Sequence, residues 1–103
     1  MSCEISEPTH CRTMTEVRRG VDQTDRDLVA LLARRFDYMR AAARIKPDRS
    51  EVRDEARKAE VIRNAAELAG SYELPETVIK DIWEVLVEGS IAYEFEQWER
   101  LRD

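Results

Sequence analysis

From Val17 onward the chain sets apolar or neutral residues at alternating steps of four and three: Val17, Val21, Thr24, Leu28 and Leu31. The same spacing continues to Arg35, Tyr38, Ala42 and Ile45. Steps of that size stay on one face of an α-helix, so the pattern predicts a helix from about Thr15 to Ile45. Thr13 or Thr15 supplies the N-cap, Glu16 lies in the first turn, and Pro47 forces the end. At ~1.5 Å per residue this helix is about 45 Å long. A second helix is expected from about Arg53 to Ala69, with Asp54 and Glu55 near its positive end and Gly70 as its C-cap. A third begins at Pro75, a favourable first helical position, and runs past Trp98. Only KPDRSEV and GSYEL read as loops, and there is almost no strand signal. The expected fold is all-α with three helices per chain, a helical domain over residues 14–103 preceded by a flexible tail over residues 1–13.

The first helix is too long for two shorter partners in one chain to cover at both ends. Its apolar stripe therefore predicts an oligomer. A polar helix bridging two domains would account for the length but leaves the stripe unexplained.

Charge narrows the field. Charged residues make up 38% of the 103, with a formal net charge of −5. A nucleic-acid surface needs a broad positive field, so nucleic acid is not an expected partner. No apolar run approaches the ~20 residues of a membrane span. The opening MSCEISEPTHC has neither the basic start nor the apolar centre of a signal peptide, so a cytoplasmic location is expected. Cys3, His10 and Cys11 fall in that opening segment, but a structural zinc site wants four ligands at tighter, paired spacing. No metal is expected. His10 is the only histidine, which argues against histidine-based nucleophilic or general-base chemistry.

The stripe itself is interrupted by cations. Arg35 falls in line with it and Lys46 lies beside its end, 11 residues further on. That separation leaves the two about 20° apart in azimuth and ~16 Å apart along the axis, close enough for two long side chains to hold a small anion between them. On the third helix Ser90 and Glu94 form an i,i+4 pair near the face carrying Ile79, Trp83, Leu86 and Val87. Polar groups on a seam must be satisfied, either by one another or by a ligand. One reading is an Arg35–Glu94 or Lys46–Glu94 bridge that fixes helix register. The other is a ligand clamp. Arg35, Lys46 and Arg57 outnumber Glu94 in the expected interior, which favours an anionic ligand such as a dicarboxylate. Arg18 lies 17 residues before Arg35, ~25 Å along the helix, so if it serves a site it serves the partner's.

The segments EVRRGVDQTDRDLVALLARRFDYMRAAARIK, VRDEARKAEVI and VLVEGSIAYEFEQW together resemble the small all-helical chorismate mutases and their relatives, the isochorismate-pyruvate lyases. The resemblance covers about Met14 to Arg102. It implies an intertwined helical homodimer with two active sites, no cofactor and no metal, acting on chorismate or isochorismate. It also implies that Arg18 comes from the partner subunit, that Arg35 grips a substrate carboxylate, and that Lys46 lies beside the carboxylate and ether oxygen of the enolpyruvyl group. Asp54 and Arg57 match the Asp and Arg at the start of the family's second helix. Ser90 and Glu94 match the polar pair of its third. Two positions depart from the pattern: Lys58 stands where the mutases have a hydroxyl-binding Glu and the lyases an apolar residue, and Glu94 stands where most members have Gln. The expected activity is the pericyclic rearrangement of chorismate to prephenate. The alternative within the family is isochorismate-pyruvate lyase, and outside it a non-catalytic helical dimer or regulatory relative.

Overall fold

The computed structural model describes residues 5–103. Cys3, one of the two cysteines weighed above, lies outside them. Three helices account for most of the chain: α1 over Met14–Ile45, α2 over Glu55–Ser71 and α3 over Glu76–Leu101. Short 3-10 turns occupy Pro8–His10 and Arg49–Glu51. Among the described residues there is no strand, and no helix is long and apolar enough to cross a membrane.

The start of α1 is set by Thr13 and Glu16. The Glu16 amide donates to Thr13 Oγ1 at 3.2 Å, and the Thr13 amide donates to Glu16 Oε1 at 3.0 Å. This reciprocal capping box satisfies two of the amides that a helix start leaves unpaired. Bonds to the Arg12 amide, Ser6 and Thr13 also hold the Glu16 carboxyl below its ordinary value, with the Arg12 contribution largest. Pro47 ends the helix as expected.

The ends of α2 differ from the expected ones by about two residues each. Asp54 is the N-cap rather than a first-turn residue, with extended backbone at φ −129°, ψ 100°, and its side chain accepts from the Arg57 amide. The helix therefore starts at Glu55, not Arg53. At the far end Gly70 stays inside the helix, which runs to Ser71. The left-handed residue is Glu73, at φ 57°. The Leu74 amide reaches back to the Ala69 carbonyl at 2.9 Å and the Glu73 amide to that of Gly70 at 3.2 Å. That is a Schellman cap with a glutamate in the place glycine usually takes. Pro75 is likewise the N-cap of α3 rather than its first residue, because its ψ of 113° is extended.

The chain forms two compact units, one ending at Phe36 and the other spanning Asp37–Asp103, with α1 passing through the junction. In the first, Ser6 Oγ donates to Glu16 Oε2 at 3.0 Å, tying the segment before α1 to its first turn. In the second, α2 packs along α3. Val52, Val87 and Ile91 form its buried centre, flanked by Val61, Ile62, Trp83, Phe95 and Trp98. Much of the α1 stripe lies bare in the single chain: Val21, Leu28, Leu31, Tyr38 and Ile45 are each at least half exposed.

Candidate functional site

The site is built on the last turns of α3. Ser90 and Glu94, one turn apart, are the two buried polar residues of the described chain, at 3% and 4% exposure. The Ser90 hydroxyl donates to the Leu86 carbonyl at 2.7 Å, so toward a further partner its oxygen acts as acceptor. Glu94 Oε2 accepts from Lys46 Nζ at 2.7 Å. The Lys46–Glu94 bridge, one of the two the sequence allowed, is formed. A buried carboxylate without a cation at this distance would be strongly destabilising, so each member of the pair fixes the other.

Lys46 is delivered to this point by its own main chain. Its amide still makes the helical bond to Ala42. Its carbonyl accepts from Trp98 Nε1 at 2.9 Å and from Arg102 Nη2 at 2.7 Å. Arg102 also donates to the carbonyls of Ala43 and Arg44, and its guanidinium lies over the Trp98 ring at 4.3 Å. Neither Trp98 nor Arg102 was among the residues the sequence reading selected. The signal was there in the spacing: Glu94, Trp98 and Arg102 follow at i, i+4 and i+8, two along one ridge of α3 and the third at its C-cap.

The residues at the start of α2 are engaged locally. Asp54 Oδ1 accepts from the Arg57 amide at 3.0 Å. The Arg57 guanidinium pairs with Glu60 one turn on and is largely exposed, so it does not belong with the interior cations counted above. At the third position of α2 its side chain points along the solvent face, within reach of its i+3 neighbour. Lys58 sits in the seam between α2 and α3, with Nζ 2.8 Å from both Glu84 Oε1 and Glu88 Oε2. Glu88 also accepts from both terminal guanidinium nitrogens of Arg53. Arg53 first, then Lys58, pull the Glu88 carboxyl down to about 2. Glu84 and Glu88 in turn hold the Lys58 ammonium above its ordinary value.

Lys46, Ser90 and Glu94 thus come together in the unit spanning Asp37–Asp103, with Asp54, Arg57 and Lys58 in the same unit. Arg18 and Arg35 belong to the other; Arg18 is exposed and Arg35 half-buried. No group of three or more His, Cys, Asp or Glu side chains able to hold a metal occurs among the described residues. A half-buried cation held by a buried carboxylate, beside a buried hydroxyl, can bind and polarise an anionic substrate without a nucleophile.

Three helices with this polar pair on the third define a class, and residues 17–95 match the family model described as chorismate mutase type II. The chain belongs to that family. Among curated proteins, an isochorismate pyruvate lyase from Pseudomonas aeruginosa is 26% identical over 95 residues, covering 92% of this chain and 94% of that one. This protein is an enzyme of the chorismate mutase or isochorismate pyruvate lyase type.

Proposed function

We propose that this chain rearranges chorismate to prephenate as a homodimer with two shared active sites. The observation that carries the reading is the Lys46–Glu94 pair, an ammonium held 2.7 Å from a carboxylate that is 4% exposed. In the reaction the enolpyruvyl C–O ether bond breaks as a C–C bond forms, with electrons moving round one ring. No atom leaves or arrives, so neither a nucleophile nor a general base is required.

What remains for the protein is to hold the substrate folded, with the reacting carbons close, and to place donors where charge gathers on the ether oxygen. Lys46 donates to that oxygen and the adjoining carboxylate. As a carboxylate Glu94 has no hydrogen to give, so only a neutral group at this position would donate to the same oxygen. Arg35 grips a carboxylate and Arg18 reaches in from the partner subunit, while Asp54, Arg57, Lys58 and Ser90 complete the binding surface. The exposed stripe on α1 supports the dimer, because apolar residues at this spacing favour burial against a second copy.

The second reading, isochorismate-pyruvate lyase, is favoured by the end-to-end likeness to a protein of that name. The same cations would serve it, because there too a C–O bond of the enolpyruvyl ether breaks. One experiment separates the readings: incubate the purified protein with each compound and look for prephenate, or for salicylate plus pyruvate. Turnover of neither would leave a non-catalytic helical dimer.

A further inference from the structure

We propose that Trp98 and Arg102 are positioning residues for Lys46, a role that rests on the reading of Lys46 as the donor to the substrate. A helix leaves its last carbonyls without amide partners, and Pro47 removes the next available donor. A lysine at such an end has a ready alternative to the site: it can fold back and hydrogen-bond those carbonyls itself. In this chain three of the carbonyls at that end are already engaged. Arg102 donates to the carbonyls of Ala43, Arg44 and Lys46, and Trp98 donates a second bond to that of Lys46.

Two consequences follow for the ammonium. The fold-back route is narrowed, and the turn that carries Lys46 is pinned to the side of α3 that also carries Glu94. Main chain and side chain of Lys46 are therefore referenced to the same rigid element, through donors at 98 and 102 and an acceptor at 94. The stacking of Arg102 on Trp98 fixes the fork of donors, a geometry that a lysine cannot reproduce in full.

The test uses Arg102→Met, which removes donors and charge but keeps length, and Trp98→Phe, which keeps the ring and removes the N–H. Arg102→Lys is the conservative variant. Each is assayed well below its melting temperature, after wild-type turnover of chorismate and isochorismate has been measured. Arg102→Met is expected to lower kcat by about tenfold to a hundredfold, with KM moving much less. Trp98→Phe should fall between it and wild type, and Arg102→Lys should restore part of the loss.

Amide exchange on the ligand-free proteins gives a second readout, and exchange at Ile45 and Lys46 should quicken by about tenfold in Arg102→Met. A folded Arg102→Met with wild-type kcat, or unchanged exchange at those amides, overturns the proposal. If Arg102→Met does not fold, Trp98→Phe decides by the same criteria. A wild type inert toward both compounds would sink the functional reading instead, and amide exchange alone would then decide whether the ridge anchors Lys46.

Discussion

The sharpest test of the site is Glu94→Gln. In the structure the Glu94 carboxylate is nearly buried and accepts the Lys46 ammonium at 2.7 Å. Glutamine keeps an acceptor oxygen at that place but loses the charge. A bond to a charged acceptor contributes roughly 1.5–3 kcal/mol against ~1 for a neutral one, so the pair weakens by about 1 kcal/mol. Desolvating an amide costs less than desolvating a carboxylate, which offsets the loss. Stability should therefore change by less than about 1 kcal/mol. Activity should respond far more. A donor aimed at developing negative charge is worth ~2.7–4 kcal/mol, about a hundredfold to a thousandfold in kcat. A carboxylate has no hydrogen to give. Glutamine carries a donor at every pH. The expected result, read from loss of chorismate absorbance, is a Glu94→Gln rate above that of wild type. A folded but inactive Glu94→Gln would refute the reasoning and show Glu94 working as a carboxylate, orienting Lys46.

Neutralising Lys46 should cost both function and fold: Lys46→Ala is expected to lose several kcal/mol of transition-state stabilisation in kcat/KM, roughly a thousandfold or more, and about 2 kcal/mol of stability because Glu94 loses its partner. Comparable kcat/KM in a folded variant would leave Lys46 with the bridging role alone. Light scattering should give about twice the 12.0 kDa chain mass, and mixing Arg18→Ala with Arg35→Ala subunits should restore some activity; no recovery after demonstrated exchange counts against the crossover. Glu88, pulled from 4.5 to about 2 by Arg53 and Lys58, contributes stability that is full above 4.5 and lost as pH falls toward about 2. Glu88→Gln should flatten acid unfolding across that window, and added salt should shrink the difference because the cluster is exposed. Glu73→Gly should raise stability by up to ~1 kcal/mol in urea unfolding, since glycine takes the left-handed backbone at φ 57° without the side-chain penalty.

The long helix was legible because its stripe, its Thr13–Glu16 cap and Pro47 all act within a turn or two of the residues they govern. The ends of α2 were less so. Gly70 is the usual signal for a stop, but the cap closes three residues later on Glu73, and only the backbone reveals a glutamate accepting a glycine's conformation. Within the site, a polar pair near the α3 seam and a lysine at the end of α1 could be read from spacing, and Lys46–Glu94 is one of the two bridges that spacing allowed. What spacing cannot give is the choice among partners. Arg57 turned to Glu60 on its own helix, and Lys58 reached Glu84 and Glu88 across a seam whose register depends on packing. Trp98 and Arg102 carry no signal of what they bind, because their target is main-chain carbonyl, which no side-chain pattern marks.

The bonds that gather on Lys46 also order the folding reaction in time. Its link to Glu94 closes a span of 48 residues, whereas a helical turn closes four. Chain entropy favours short closures first, so α2 and α3 are expected to form and pair while the end of α1 is still free. Docking of that end onto α3 then comes late, with a low φ-value for Lys46 and Arg102 substitutions and an effect mainly on the unfolding rate. The same step should reverse before α2 and α3 part, so the proposed donor Lys46 belongs to the part of the second unit that opens first.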